Sequence, residues 1–442
     1  MHTALNVMTA IKNLVNDPAF QATHRINETA FTRERRLSFV RVTALILQKS
    51  LKSLQLVLNE FFEKLQQTMP LPLQTVTASA LTQARQKLKQ TAFCDLTTQA
   101  LVATYYQTPT YRTWRGVRVL AVDGSKIRLP DTPAIRQEFG TIAFSNQHPD
   151  VQGAYPDGLR VVYDDVLNQI PLASPLAHSR ASERDVALAL RPSLLPTDLV
   201  LCDRGVPSYR FFATLLAAHT HVVGRCSRRS FAEARTLFAD DAPVSRVVTL
   251  RPPPGHKAAL LAAGLPLELR LRVVRVVFDS GDVEVLGTSL LDDARFPAEV
   301  FKDLYGLRWG VETVYDRVKN RLNLENFSGN TVEAVKQDCS ATLFISGLES
   351  ILIQDAQPQL DHKTPGNQYP QQVNKMVSFN TIKNHVIALV LSDLDPNPLA
   401  ARLPQLFLTT PVPIRHGRNV DRLQRNATYV VHYYKRIKKI CF

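Results

Sequence analysis

The chain has 442 residues, of which 45% are hydrophobic and 21% charged, with a formal net charge of +14 and a pI near 9.6. That length exceeds one ordinary core and predicts roughly two to four domains, while no apolar run approaches the length of a bilayer span. The positive balance favours a polyanionic partner and leaves a ribosomal, membrane-peripheral or merely soluble chain open.

The charge is uneven, because residues 401–442 hold nine Lys/Arg against one Asp. The five cysteines (Cys94, Cys202, Cys226, Cys339, Cys441) are scattered and odd in number, which argues against a disulfide framework or a zinc site and for reduced thiols. The first residues lack a basic start, an apolar run and a small-residue cleavage site, so a cytoplasmic protein is expected. Prolines outnumber glycines, 27 to 17, which predicts ordered breaks rather than flexible linkers.

Residues 1–110 read as helical. Over 37–62, Leu37, Val40, Ala44, Leu47, Leu51, Leu54, Leu58 and Phe61 recur at helical spacing, with arginines and lysines distributed around them. After Pro70 and Pro72, residues 77–88 open on capping residues and continue with helix formers. That segment reads either as a DNA-reading helix presenting Gln83, Arg85 and Lys87 or as an ordinary amphipathic helix.

The texture changes near Tyr111. The run V-R-V-L-A-V (117–122) is strand-like and ends in D-G-S at Asp123, and further β-prone runs at 158–166 and 170–178 suggest a meander. S-E-R-D (182–185) resembles a capped helix start. D-L-V-L-C (198–202) is a short apolar strand ending in D-R-G at Asp203, followed by a helix over 208–218 and a strand over 221–226. Three strands, a helix, a strand, a helix and a strand predict a mixed α/β sheet covered by helices. Residues 227–297 interrupt this pattern as a β-rich insertion, with period-two alternation over 267–273 and a turn at 279–282 leading into 283–289. A long helix over 297–322 follows, opened by Pro297, then helices over 330–352 and 378–391 and the basic tail.

Asp123 and Asp203 each end a predicted strand and begin a turn that contains glycine, and strand ends are where an α/β sheet offers a rigid rim to ligands. Taken singly, D-G is a common turn element. On the long helix Tyr305, Arg308, Glu312 and Lys319 fall within roughly a 60° arc at 3.6 residues per turn, opposite Leu307, Val311, Val314, Val318 and Leu322. One face is thus expected in the core while the other presents a phenol, two cations and a carboxylate. A solvated charged face would look similar, but a single Glu among aromatic and basic groups, with strand-end aspartates elsewhere, makes that account less economical. Cutting a phosphodiester needs a nucleophile, a stabilised leaving oxygen and charge neutralisation. Two Mg²⁺ ions roughly 4 Å apart supply all three and prefer carboxylate oxygens. Tyr305, Arg308 and Lys319 suit phosphate oxygens nearby.

These residues resemble the DDE transposases of bacterial insertion sequences, specifically insertion sequence family four, whose Y-x2-R-x3-E-x6-K pattern matches Tyr305, Arg308, Glu312 and Lys319 at every spacing. D-G-S at Asp123 and D-R-G at Asp203 look like that family's first and second acidic motifs. T-S-L-L-D (288–292), L-E-N-F-S-G (324–329) and S-A-L-T-Q-A-R (79–85) are also similar to its members. The likeness covers residues 80–350; Val206 departs from it, standing where many members carry an aromatic residue.

The resemblance implies a ribonuclease-H-like catalytic core with the β-rich insertion, flanked by helical N- and C-terminal regions. The expected division is 1–110 (DNA-binding), 111–226 (core), 227–297 (insertion), 298–350 (glutamate helix and its successor) and 351–442 (dimerisation or DNA contact). It further implies Asp123, Asp203 and Glu312 as ligands of two Mg²⁺ or Mn²⁺ ions. It implies Tyr305, Arg308, Lys319, Arg85 and Lys87 on DNA, Trp309 as a stacker for a flipped base in a hairpin route, and a homodimer on double-stranded DNA at the nucleoid. A two-metal nuclease on the same fold and a transposase-derived DNA-binding protein without catalysis are the alternatives.

Overall fold

The computed structural model describes residues 2–33, 35–48, 50, 52–68, 75–108, 110–145, 152–278, 280–391 and 395–415. Most of the basic tail, from 416 onward, lies outside the described residues. The chain forms two compact units, one of residues 1–109, 126–158 and 317–442 and one of residues 110–125 and 159–316.

The second unit is organised by a mixed sheet. Its strands in chain order are β1 (Val119–Arg128), β2 (Thr141–Ser145), β3 (Gln152–Asp165), β4 (Ile170–Ala173), β5 (Leu176–His178), β6 (Leu199–Cys202), β7 (His221–Cys226), β8 (Ser245–Leu250), β9 (Leu269–Val277) and β10 (Val283–Thr288). The unit boundary falls within β1 and β3, and β2 with the first part of β3 belongs to the other unit. From β3 the order runs β3-β1-β6-β7-β10-β9-β8, with β4 and β5 also on β3. β6 is parallel to β1 and to β7, whereas β10 is antiparallel to β7 and β9 and β8 is antiparallel to β9. The mixed α/β sheet expected from the sequence is therefore present. Residues 227–297, expected as a β-rich insertion, contribute β8 to β10, and these continue the sheet from β7.

The central strands are short apolar runs because both faces are covered. Val119 to Val122 on β1 and all four residues of β6 are buried, each Val or Leu contributing about 1.5–3 kcal/mol of burial. The helix Tyr209–Ala217 starts where the Ser208 hydroxyl accepts from the Phe211 N–H at 3.2 Å, and it buries Phe211, Phe212 and Leu215. Its approach to β7 depends on Gly224: a Cβ there would stand 2.9 Å from Cys202 Sγ and 3.0 Å from Phe212 Cζ.

The other unit is mainly helical: His2–Asn16, Phe39–Gln48, Leu54–Thr68, Ala78–Arg85, Val332–Lys363, Lys375–Val390 and Pro396–Phe407 are its longer helices. The single helix expected over 37–62 is broken. Ser53 restarts it by accepting from the Leu56 N–H at 3.4 Å, a local competition that periodicity does not register. The helix expected over 330–352 runs on to Lys363 and carries Pro358 within it.

Candidate active site

Parallel pairing places the two aspartates at one level. Val119 to Val122 register with Leu199 to Cys202, so Asp203 follows the end of β6, whereas Asp123, expected to close its strand and open a turn, lies at the same level within β1, which runs on to Arg128. The Asp123 carboxylate accepts from the Gly124 N–H at 2.9 Å. A Cβ on Gly124 would lie 2.6 Å from Glu183 Cδ, so any larger residue here would push that carboxyl aside. Glu183 comes from the helix Glu183–Ala189, capped by Ser182 as the sequence predicts. This stretch of β1 is also tied to the glutamate helix, for the Tyr315 hydroxyl lies 2.8 Å from the Asp123 carbonyl oxygen and 2.9 Å from that of Arg160.

The glutamate helix is less regular than its sequence suggests. Val300–Gly306 is α-helical, Leu307–Trp309 tightens to 3-10 geometry, Gly310–Asp316 is α-helical again and Arg317–Arg321 forms a π turn. Such irregular turns recur at functional sites. The burial also differs from expectation: Tyr305 is 4% and Arg308 3% exposed, so the phenol and guanidinium face is not solvated. It packs on polar strand ends instead. The Tyr305 hydroxyl donates to Asp203 Oδ1 at 3.3 Å, and Arg308 Nη2 donates to Glu312 Oε1 at 3.1 Å.

The three acids share one electrostatic environment. Burial raises the Asp123 pKa; the Gly124 N–H and the Arg308 charge pull it down, and the Glu312 and Asp203 charges push it up again. Burial, then the neighbouring Asp203 charge, also raises the Tyr305 phenol, which stays a neutral donor. Sequence reasoning missed Arg225, whose Nη1 lies 3.7 Å from Asp203 Oδ1 and whose Nη2 lies 3.0 Å from Glu284 Oε1. The signal was available, since Arg225 is a charge inside the apolar strand H-V-V-G-R-C.

Among the described residues no three His, Cys, Asp or Glu side chains stand close enough together to hold a metal ion. The donor chemistry nevertheless fits a hard dication: these are carboxylates, Asp203 and Glu312 keep side-chain exposures of 42% and 36%, and the repulsion acting on Asp123 is relieved by added positive charge.

Of the remaining expected residues, Trp309 is 56% exposed with the Arg308 guanidinium 4.5 Å from its ring centre. With Tyr305, Phe278, Arg204, Arg225 and Lys302 it lines a cavity of about 450 Å³. Lys319 lies in the other unit, where its ammonium donates to the Lys126 carbonyl oxygen. Arg85 corrects the expectation of a DNA-reading side chain. It is 7% exposed, and its guanidinium donates to Gln337, Ser328, the Ala334 carbonyl and Asp338. Lys87, two residues on, is half-buried.

Comparison with known proteins assigns the chain a family. A family model described as "Transposase DDE domain" matches residues 114–348, just over half the chain. The transposase InsG of insertion sequence element IS4 from Escherichia coli (strain K12) is 28% identical over 314 residues, 69% of this chain and 68% of that protein. A cryo-EM structure of the piggyBac transposase in a synaptic complex with hairpin DNA is similar with a TM-score of 0.47 and 10% identity, covering 96% of this chain and 89% of that one. At that score the likeness carries no argument. Among the described residues no helix is long and apolar enough to cross a membrane.

Proposed function

The chain belongs to the DDE transposase family, and from that premise we propose that it is an insertion-sequence transposase of the family-four type. It binds the terminal inverted repeats of its own element, cleaves there and joins the 3′-OH ends to target DNA, with a hairpin as the candidate release route. The observation that carries this reading is the convergence of Asp123 and Asp203, just past the registered stretch of two neighbouring parallel strands, with Arg308 and Glu312 from one helix. The same arrangement supports a ribonuclease-H-like description of the sheet.

Asp123, Asp203 and Glu312 are the residues to hold two Mg²⁺ or Mn²⁺ ions, which when bound supply charge neutralisation and an activated water. Tyr305 orients the Asp203 carboxylate through its hydroxyl. Arg308, which donates to Glu312, would be the residue to meet a DNA phosphate if that carboxylate held a dication. Trp309, exposed beside a cavity lined by Arg204, Arg225 and Lys302 with Asp282 and Glu284, is the candidate stacking surface for an extruded base. Lys319 is proposed as a phosphate contact on its place in the Y-R-E-K pattern, and the protein acts as a homodimer because two element ends must be joined.

The test is to replace Asp123, Asp203 and Glu312 singly by Ala and assay Mg²⁺-dependent cutting and joining of duplex bearing the element ends. Each variant is expected to lose about a hundred- to a thousandfold or more in rate, the scale set by removing one preorganised charge-stabilising group. Full activity in any one of them overturns the assignment. Cut products without joined ones would favour a nuclease, and binding without cutting a non-catalytic DNA-binding protein.

A further inference from the structure

The helical unit holds a second feature that the carboxylate site does not use. Beside the N-terminal end of the helix Ala78–Arg85 lies a groove of about 850 Å³ whose lining includes Arg33, Arg35, Arg36 and Lys87, together with Gln83 and Phe31, and no carboxylate among the described residues. Like charges gathered without counter-charges repel one another, so the fold must hold them in place by other means.

It does so through the backbone and one aromatic anchor. Phe31 takes a left-handed backbone conformation, φ 58°, and its ring meets Phe39 edge-on at 5.6 Å. Arg36 Nη1 donates to the Thr75 carbonyl at 2.7 Å, and Arg41 Nη1 donates to the Arg36 carbonyl at 3.0 Å. Beneath Lys87, the Ile26 N–H donates to the Lys87 carbonyl at 2.9 Å. Arg33 and Arg35 stay exposed and Lys87 half-buried, so at least three cations border a groove whose described lining carries no carboxylate. A single small anion would not fill such a volume. A chain of phosphodiesters would, because duplex DNA presents one charge per roughly 1.7 Å of axis.

We propose that this groove seats the phosphate backbone of duplex DNA, with Arg33, Arg35 and Lys87 as the contacting cations, and that the contact is independent of base sequence. The inference rests on the transposase reading, which supplies the DNA. It moves DNA contact in this region away from Arg85, which is committed to internal partners, and onto the facing loop.

The test is to measure equilibrium binding of a random-sequence 30-base-pair duplex, without divalent metal, by the full-length protein and by an R33A/R35A/K87A variant over a range of salt. These side chains are not core groups, and Arg36, which closes the groove through Thr75, is left intact. An R33K/R35K variant, which keeps the charge, checks the fold. Removing three phosphate contacts should lower the slope of log K against log salt by about 3, roughly 1 per contact, while R33K/R35K keeps the wild-type slope. An unchanged slope in the triple variant overturns the groove and leaves the carboxylate site untouched. A slope lost equally in R33K/R35K also overturns it, since charge would not be the cause. If wild type binds no duplex at all but the groove variants are folded, the transposase reading itself falls.

Discussion

Two clusters of buried charge, one in each unit, behave in opposite ways. In the helical unit Arg85 and Asp338 face each other at 2.7 Å with side-chain exposures of 9% and 1%. Their remaining capacity is taken by Gln337, Ser328 and the Ala334 carbonyl, and the Ser328 N–H donates to Asp338. In the sheet unit, Asp123, Asp203 and Glu312 crowd around Arg308, and the like charges add to the burial that raises Asp123. A structural pair satisfies itself, whereas a site built for charged partners keeps an imbalance that only those partners remove.

The comparison breaks most severely at Arg85. Replacing it by Ala leaves Asp338 buried with its main counter-charge gone, which costs about 3–5 kcal/mol, a large part of the stability of an ordinary domain. Urea denaturation of R85A should show that loss in the midpoint. A variant as stable as wild type would mean that the pair holds nothing together, and the contrast between the two clusters would collapse.

Asp157 sharpens the contrast because it is an imbalanced acid in the helical unit. It is 5% exposed, with its Oδ1 lacking a hydrogen-bond partner. Burial pushes its pKa up to about 6 against the opposing pull of Lys126, the Ile127 N–H and Lys319, with Glu325 adding to the rise. The native state therefore holds a proton between pH 4 and 6 that the unfolded chain has lost, so stability falls as pH rises through that window and stays reduced above it. Asp157→Asn removes this cost. Its advantage over wild type should be negligible at pH 4, grow through pH 6 and reach on the order of 2 kcal/mol above pH 7. Chemical denaturation at several pH values reads it directly, and an advantage that does not change with pH would refute the assignment of the cost to this carboxyl.

What could be read from the chain order follows the range of the interactions. Asp203 was legible because an apolar run before a glycine turn reports the end of β6 locally; the same pattern at Asp123 misled, since β1 continues through Gly124 to Arg128, and only the parallel pairing of β1 with β6 brings the two acids level. The face shared by Tyr305, Arg308 and Glu312 was legible from helical geometry alone. The burial of that face was not, since Tyr305 and Arg308 are covered by groups remote in sequence, Asp203 among them. Arg85 failed for the same reason. Gln337 and Asp338 lie some 250 residues along the chain, and no local pattern in the helix Ala78–Arg85 announces them. The break at Ser53 in the expected 37–62 helix is a different case, a capping choice hidden beneath an unbroken apolar period.

The smallest predicted effect is the one that best separates the two kinds of cluster. Asp123 carries a raised pKa, caused first by burial and then opposed by Gly124 and Arg308, so its ionised form costs stability that is present above the folded pKa and disappears as pH falls through it. Asp123→Asn deletes the charge but keeps an oxygen for the Gly124 N–H, and Tyr315 holds the Asp123 backbone carbonyl rather than its side chain. The backbone of β1 around position 123 should therefore persist. The variant is expected to melt about 2–4 °C higher than wild type at neutral pH, the response of roughly 1 kcal/mol in a domain of this size, while losing cleavage. Added Mg²⁺ should raise the wild-type melting temperature and leave the variant unmoved. If D123N melted lower instead, its carboxylate would be a structural partner of the kind Asp338 is, and the acid cluster would lose its distinction from the buried pair.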